Sequence, residues 1–355
     1  TNGNNIGVYP VLSASPIANP FNTDGTFKPR IQQQTSGQQW VHTRESYEAL
    51  GDSYVNQQRV FGSYNNMYGE IRIPGVEGLS YRTNLGLNFR QNNDGNYTGQ
   101  GVFSGTPDNL SSASIANGRT VQWVMENLLT YDRTFAQKHN LNLVALYSAE
   151  QNSNNSTVIS GRDIPIDAFQ FYNIGRAQGE IIVNPDLQGY AKSSLMSLMG
   201  RAMYTFDNKY MLTMTMRRDG SSRLAPGHKW HTYPAFSAGW NIHNEKFLSS
   251  TPWINQLKLR VGYGQTSNQA VDPYKTLGLL STRPYNFDTQ FQTGYYMSEL
   301  PNPLLGWEFS KTYNYGLDFG LLNNRISGTM EYYIQNTDNI LLRVGLPPTN
   351  GGGSY

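Results

Sequence analysis

The feature that most constrains this chain is a two-residue alternation of apolar and polar side chains that continues through unusually long segments. Such segments lie at 79–90, 141–147, 257–264 and 307–319. In the first, the two alternating sets are Leu79, Tyr81, Thr83, Leu85, Leu87, Phe89 and Ser80, Arg82, Asn84, Gly86, Asn88, Arg90. Because successive side chains of a β-strand point to opposite faces of its sheet, each segment predicts a strand with one apolar and one polar face.

The alternation predicts ten strands, which are joined by connections of unequal length. We expect short connections at 74–77, 135–137, 207–208, 243–253 and 322–324, alternating with long ones at 92–118, 152–192, 220–231 and 267–306. This rhythm predicts that all long connections lie on one side of the sheet. The predicted strands are 58–73, 78–91, 119–134, 138–151, 193–206, 209–219, 232–242, 254–266, 307–321 and 325–341.

Strand length separates two classes of all-β protein. Strands of globular proteins are usually about 5 or 6 residues long, whereas a tilted strand needs about 9–11 residues to cross a bilayer. Outer-membrane barrels also have short turns at one rim and long loops at the other. We therefore predict an all-β fold, an antiparallel transmembrane β-barrel with short periplasmic turns and long extracellular loops. The alternative is a soluble β-sandwich or propeller, in which strands also alternate.

Composition excludes several other classes. Charged residues make up 15% of the 355 residues, aromatic residues 13%, and cysteine is absent, which removes disulfides and thiolate metal sites. The longest apolar run, at 143–147, is far below the roughly 18 residues of a spanning helix. A net charge of +2 without basic blocks predicts no nucleic-acid partner.

Four segments, at 199–213, 217–223, 233–240 and 257–264, carry a family resemblance. Their sequences, MGRAMYTFDNKYMLT, RRDGSSR, YPAFSAGW and LKLRVGYG, resemble the barrel core of SusC/RagA-type TonB-dependent outer-membrane transporters. The segment 332–341 with Leu346 and Pro347 is similar to a later part of that family, and 78–86 to an earlier part.

This resemblance implies a fold and a set of partners. The family's barrel has about 22 strands around a plug, so we expect about ten of those strands here. It implies TonB, acting through an N-terminal plug region missing from this sequence, and a SusD-like surface lipoprotein. It also implies an integral outer-membrane location and an oligosaccharide or peptide substrate, oligosaccharides being the first expectation. It implies neither an enzyme nor a cofactor.

The resemblance also sets the expected domain boundaries. We expect an extracellular loop region at 1–57, the partial barrel at 58–341 and an extracellular loop fragment at 342–355. No plug, TonB box or closing strand is recognisable, and both ends resemble loops. We therefore expect the sequence to be a middle piece of a longer polypeptide.

One long predicted loop has the composition of a substrate-contact surface. Its aromatic rings, amides and carboxylate suit a sugar ring or an extended peptide. The alternative is a loop whose aromatic side chains pack on one another. The candidate substrate-binding residues are Tyr285, Asn286, Phe287, Asp288, Tyr295 and Tyr296.

Three further motifs have a functional and a structural interpretation. The run 217–223 could hold a carboxylate or sugar hydroxyls through its arginines, but Asp219-Gly220 favours a turn with ion pairs at the barrel rim. His228 and His231 have a metal-like spacing, yet solvated loop histidines are the favoured interpretation. The run 92–96 resembles part of a calcium loop but lacks the terminal Glu, which favours a turn.

Three functions therefore compete at the level of sequence. Import through a TonB-dependent barrel is favoured. A surface glycan-binding or adhesin barrel without translocation explains the alternation equally well. A soluble glycan-active enzyme rests only on the aromatic loops, because no pair of carboxylates stands out as acid and nucleophile.

Overall fold

The computed structural model describes residues 19, 21–26, 30–32, 40–42, 50–100, 102, 110–288, 290–345, 347 and 349. Within this part of the chain every long element is a strand, and no helix is long and apolar enough to cross a membrane. The strands are β1 (Arg30–Gln32), β2 (Trp40–His42), β3 (Tyr54–Arg72), β4 (Leu79–Thr98), β5 (Ser112–Phe135), β6 (His139–Arg162), β7 (Ile181–Ile182), β8 (Gly189–Phe206), β9 (Tyr210–Ser221), β10 (Trp230–Asn241), β11 (Ile254–Asn268), β12 (Leu279–Phe287), β13 (Gln290–Glu299), β14 (Glu308–Leu321) and β15 (Ile326–Asp338). Single-turn 3-10 helices are η1 (Gly51–Ser53), η2 (Asp167–Phe169), η3 (Ile174–Arg176), η4 (Pro185–Leu187), η5 (Ile242–Asn244) and η6 (Lys246–Leu248).

The long strands form one sheet in which each pairs with the long strands before and after it. Its order is β15-β14-β11-β10-β9-β8-β6-β5-β4-β3, with β7 paired to β6 outside this path. The pairs from β8 to β15 are antiparallel. All ten predicted strands are therefore confirmed, and the predicted all-β antiparallel fold with them. Two additional hairpins, β1-β2 and β12-β13, form separate two-stranded sheets.

From β8 to β15, the pairing of neighbouring strands places apolar side chains together on one face of the sheet. A row here consists of six residues, one from each of six neighbouring strands, that lie opposite one another. Three alternate rows are apolar throughout, and many of their side chains are more than 40% exposed. Because a contiguous exposed apolar surface of this breadth is typical of a face that meets lipid or another apolar surface, it explains the alternation. The rows are Phe206–Tyr210–Trp240–Leu259–Leu317–Met330, Tyr204–Leu212–Ala238–Val261–Tyr315–Tyr332 and Ala202–Met214–Phe236–Tyr263–Tyr313–Ile334.

The rows between these point to the opposite face and are mainly polar or small. They are Met203–Thr213–Ser237–Gly262–Asn314–Tyr333 and Thr205–Met211–Gly239–Arg260–Gly316–Glu331. We refer to the two sides as the apolar face and the polar face.

Three of the short connections, 136–138, 207–209 and 322–325, are tight turns with consecutive left-handed residues. Asp207 and Asn208 have φ of 50° and 54°, and Lys209 N donates to Phe206 O at 2.8 Å. The turn between β14 and β15 has three such residues, Leu322, Asn323 and Asn324, with φ of 53°, 58° and 60°. Such turns match the twist of paired strands, and Asn and Asp tolerate the left-handed region. Both turns lie where the sequence predicted short connections, at 207–208 and 322–324.

The predicted rhythm of connection lengths is wrong at one pair. The sequence predicted a long connection at 220–231 and a short one at 243–253. In the structure the first of these, 222–229, is the shorter of the two, and the second is 242–253. The reason is that β9 and β10 extend further than predicted, whereas 242–253 forms two 3-10 turns.

The chain divides into two compact units, each with a buried cluster. Unit 1 contains residues 1–63, 89–120 and 154–190, with a core of Tyr97, Ala113, Ile164, Phe171 and Ile174. Unit 2 contains residues 64–88, 121–153 and 191–355, with a core of Leu224, Ala225, Leu305 and Trp307.

Candidate functional site

The long connections of unit 2 are fastened to one another on the side opposite the tight turns. Ala225 N donates to Leu305 O at 3.0 Å, and Trp307 Nε1 donates to Lys229 O at 2.9 Å. Arg223 adds a bond from its guanidinium to Val271 O at 3.0 Å. With the buried cluster around Leu224, these bonds join the β9–β10 and β11–β14 connections into one platform.

The predicted turn at Asp219-Gly220 is wrong, but the predicted ion pairing there is confirmed. Both residues lie inside β9, and Arg217 Nε donates to the two oxygens of buried Asp219 at 2.9 and 3.1 Å. Gly220 does not form a turn; it allows a neighbouring side chain to pack closely against β9. A Cβ at this position would lie 2.6 Å from the ring of Trp230, its cross-strand neighbour, so only glycine lets that ring lie against β9.

β10 and β11 diverge beside this platform. Their ladder ends at the Ala235–Gly264 pair, although β10 begins at Trp230 and β11 continues to Asn268. Pro234 adjoins the last pair, and a residue without a backbone N–H is typical of such a break.

His231 occupies the opening between the two diverging strands. Its ring stacks on Phe309 with centroids 5.0 Å apart and on Tyr233 at 5.7 Å, and its Nε2 lies 3.1 Å from Gln265 Nε2. His231 is thus a half-buried strand residue, so the predicted solvated-loop role is wrong for it. Among the described residues, no group of three or more potential metal ligands of the His, Cys, Asp or Glu type occurs.

A cavity of about 460 Å³ lies beside His231, between the beginning of β10, the segment that leads into β14 and residues 339–341, and we call it the fork cavity. Its side chains are aromatic, imidazole, amide and aliphatic, and none of them is an acidic residue, a lysine or an arginine. The sequence prediction missed this cavity. The available signal was Pro234 inside an otherwise regular strand. The lining residues are Gly227, His228, Trp230, His231, Asn302, Leu304, Leu305, Gly306, Trp307, Phe309, Asn339, Ile340 and Leu341.

The predicted substrate-contact loop is in part a regular hairpin, β12-β13. Its register places Tyr285 opposite Gln292, Ser281 opposite Tyr296 and Thr282 opposite Tyr295. Cross-strand partners share a face, and neighbours along a strand alternate. Three of the predicted residues, Tyr285, Phe287 and Tyr296, therefore share one face.

The remaining predicted residues lie elsewhere on the hairpin. Asn286 and Tyr295 belong to the opposite face, and Asp288, with φ of 55°, lies in the turn. The six residues thus do not form a single contact surface, because the alternation of the two strands separates them. The rings of Tyr285 and Phe287 contact each other at 4.7 Å, yet each remains at least 60% exposed.

Ion pairs fasten the base of this hairpin. Lys275 Nζ pairs with Glu299 and lies 3.9 Å from Asp272, and Arg343 lies 3.8 Å from the same glutamate. The hairpin is therefore attached to its platform by charge as well as by backbone.

The polar face carries a second charged cluster that the sequence prediction missed. Arg260 donates to both oxygens of Asp318 at 2.9 Å and to Glu331 at 2.9 Å. Thr329 donates to Asp318 at 3.0 Å. A two-pronged guanidinium–carboxylate contact is strong and directional, so this cluster cross-links β11, β14 and β15. The partners are far apart in sequence, and only the position of Arg260 in its alternating strand hinted at a role.

At the tight-turn side, aromatic side chains share one carboxylate. Tyr210 OH and Trp240 Nε1 donate to Glu245 Oε1 at 2.6 and 3.1 Å, and Lys209 lies 3.6 Å away. These bonds, that from Tyr210 first, hold the pKa of Glu245 below its ordinary value. The arrangement resembles the aromatic belts of membrane barrels, whose amphipathic rings bind polar groups at one end.

Comparison with known proteins places this architecture in a family. The family model described as "TonB dependent receptor-like, beta-barrel" matches residues 4–355. TonB-dependent receptor P39 of Formosa agariphila is 29% identical over 87% of this chain and 29% of its own length. TonB-dependent receptor P26 of the same organism is 31% identical over 68% of the chain and 24% of its own length.

A relative named SusC and a solved transporter structure are also similar to this chain. TonB-dependent receptor SusC of Bacteroides thetaiotaomicron is 39% identical over 44% of the chain and 16% of its own length. The structure of the RagAB peptide transporter matches with a TM-score of 0.76 at 22% identity, covering 95% of this chain and 36% of that one. The chain thus spans less than a third of the length of the curated relatives named here. The predicted resemblance is confirmed, and the chain belongs to the family of TonB-dependent receptor-like β-barrels.

Proposed function

We propose that this chain forms part of the wall of an outer-membrane transporter that imports oligomeric nutrients with energy supplied through TonB. The observation that carries the proposal is the pair of faces in unit 2. The apolar rows would meet lipid, and the polar rows, with the Arg260 cluster, would line a path through the barrel. The family is one of receptors and transporters, which argues against an enzyme.

We propose oligosaccharides as the cargo and a SusD-like surface lipoprotein as the partner. The exposed aromatic and amide side chains of the long connections support oligosaccharides as the cargo, and the relative named SusC supports a SusD-like partner. Peptides are the alternative, since the RagAB structure is named a peptide transporter. At 22% identity that likeness concerns the fold alone.

The proposal also assigns sides to the connections. The tight turns would lie at the periplasmic rim, and the platform, the hairpin β12-β13 and residues 1–57 and 342–355 on the extracellular side. The exposed hairpin face of Tyr285, Phe287 and Tyr296 would then be available to arriving substrate.

Uptake by living cells tests the transport function. The full-length protein containing this chain is expressed in an outer-membrane host that lacks its own copy, and labelled neutral oligosaccharides are supplied with and without TonB. We expect surface binding in both strains and accumulation only with TonB. Binding without accumulation in either strain would favour the adhesin, and accumulation that ignores TonB would indicate a passive pore.

A further inference from the structure

We propose that a groove on the apolar face of the sheet binds one phospholipid molecule of the surrounding bilayer. The groove crosses β5, β6, β8, β9 and β10 beside the first residue of β4, and we call it the acyl groove. The assignment rests on the proposed function, because it takes the apolar face to be the lipid side of the barrel wall. The ligand is neither the transported cargo nor a protein partner.

The acyl groove has the size and the lining of a chain-binding site. Its volume is about 560 Å³, within the roughly 300–1,000 Å³ typical of small-molecule sites, and its lining is almost entirely apolar. Short side chains at Ala145, Gly200 and Ala202 leave a hollow between the larger Leu143 and Met214. A Cβ added at Gly200 would meet nothing within 4 Å, so the space above this residue is open.

Strand pairing and alternation place the groove on the apolar face. Ala202 lies opposite Met214 in one of the apolar rows. In the neighbouring strand β6, the ring of His139 lies 4.9 Å from that of Phe206, which belongs to another apolar row. Leu143 lies on the same side of β6 as His139, because side chains alternate along a strand. The groove is thus continuous with the surface that would meet lipid tails, which makes a lipid tail its occupant.

One end of the groove opens beside a pair of opposite charges. Leu79 and Tyr131 border this end. Arg133 follows Tyr131 on the same side of β5, and its guanidinium lies 3.1 Å from the carboxylate of Glu77. The two side chains are 40% and 81% exposed, so a ligand can reach both. A guanidinium with five N–H donors binds phosphate as well as carboxylate, and a carboxylate accepts from an ammonium group. A zwitterionic headgroup with a phosphate and an ammonium therefore complements this end.

The depth of the groove fits one leaflet of a bilayer. The charged pair lies at the tight-turn side, in the β3–β4 connection and near the end of β5. Phe236, which borders the groove on β10, lies five residues before the end of that strand. This spacing corresponds to roughly 16 Å along the strand, or about 12 Å of depth at a tilt near 40°. That is close to half of the apolar band of about 25 Å, so a headgroup at the rim would have its tail in the groove.

The surrounding bilayer competes for any lipid in the groove. Lipid tails are as apolar as the groove itself, so transfer out of water does not favour this site over the bilayer. Retention of one molecule must come from close packing of its tail and from the contacts of its headgroup. Filling the groove and removing the guanidinium therefore test two separate contributions.

Native mass spectrometry of the delipidated full-length protein in detergent tests this site. The probes are palmitoyl-oleoyl phosphatidylethanolamine and the diacylglycerol with the same two chains. We expect one phosphatidylethanolamine molecule to bind more tightly than any further ones. Gly200→Leu should weaken this first binding at least about fivefold, because the new side chain fills the groove. Arg133→Gln should weaken phosphatidylethanolamine binding and leave the diacylglycerol affinity within about twofold.

The matched control is Ala238→Leu, which adds an apolar side chain to an exposed position of the same face outside the groove. Its affinity should stay within about twofold of the parent, and heat-modifiability in gel electrophoresis should show all variants folded. Absence of a tightly bound first molecule, an equal loss in Ala238→Leu, an unchanged affinity in Gly200→Leu or equal affinity of the parent for the two probes would overturn the assignment. Any of these results with intact TonB-dependent uptake would refute the lipid site alone and leave the transport proposal standing.

Discussion

At the scale of single residues, Arg260 shows how a polar side chain can organise three strands. Its side chain is 33% exposed and its partner Asp318 18% exposed, so water only partly screens the pair. The two-pronged geometry and the third bond to Glu331 give it more directional contacts than an isolated surface ion pair has. The residue therefore belongs to the scaffold of the polar face.

We predict that Arg260→Met lowers the free energy of unfolding by about 1–2 kcal/mol. A hydrogen bond to a charged group contributes about 1.5–3 kcal/mol, and solvent screening reduces that value for a partly exposed pair. Urea unfolding of the protein in phospholipid vesicles measures the change. Arg325→Met, which removes an exposed arginine from a turn, is the control. An equal effect of the two substitutions would contradict a structural role of the cluster.

Gly220 gives a second prediction at this scale. We expect Gly220→Val to displace the Trp230 ring, because the added Cβ would lie 2.6 Å from it, and therefore to lower the thermal midpoint of the folded protein. Gly200→Ala is the control, since a Cβ there meets nothing within 4 Å. Scanning calorimetry measures the thermal midpoint, and an unchanged midpoint in Gly220→Val would contradict the close-packing role of this glycine.

At the scale of elements, the hairpin β12-β13 separates the candidate substrate residues by face. Sequence composition found the aromatic and amide side chains but could not distribute them, because neither strand alternates cleanly between apolar and polar residues. The ten long strands were predictable because apolar and polar side chains alternate through long segments of the sequence, such as 79–90 and 257–264. The fork and the Arg260 cluster were not, since both depend on which strands are neighbours and where their ladders end.

If the hairpin contacts substrate, we expect one face to matter more. The double substitution Tyr285→Ala with Phe287→Ala should weaken oligosaccharide affinity about tenfold, because these exposed rings form a contiguous surface. Tyr295→Ala, on the other face, should have the smaller effect. Calorimetry compares the variants, with Trp253→Ala as the reference outside the hairpin. A larger loss in Tyr295→Ala would assign the contact to the opposite face.

The β10–β11 connection gives a pH-dependent prediction. The pKa of Glu245 is depressed in the folded protein, chiefly by the hydrogen bond from Tyr210. Its stabilising contribution is therefore complete above its unfolded pKa, near 4.5, and is lost as pH falls through the lower folded value. We expect the thermal midpoint to fall more steeply below pH 4.5 in the parent than in Glu245→Gln. Parallel profiles in a heat-modifiability assay would exclude this linkage.

At the scale of the whole molecule, the proposed function requires the two opposite faces of one sheet to meet different environments. The chain has no cysteine, so a single introduced cysteine reports its own position. Adjacent residues of β9 point to opposite faces, with Leu212 in an apolar row and Thr213 in a polar row.

Spin labelling of β9 in vesicles tests this requirement. A spin label is attached to one introduced cysteine at a time in full-length protein that has no other cysteine. The substitutions are Leu212→Cys, Thr213→Cys, Met214→Cys and Thr215→Cys. The collision rates of each label with oxygen and with a water-soluble nickel chelate are then measured. We predict that positions 212 and 214 favour oxygen, as in lipid, and that 213 and 215 favour the nickel chelate. Equal access of the nickel chelate to all four positions would contradict a membrane-spanning wall.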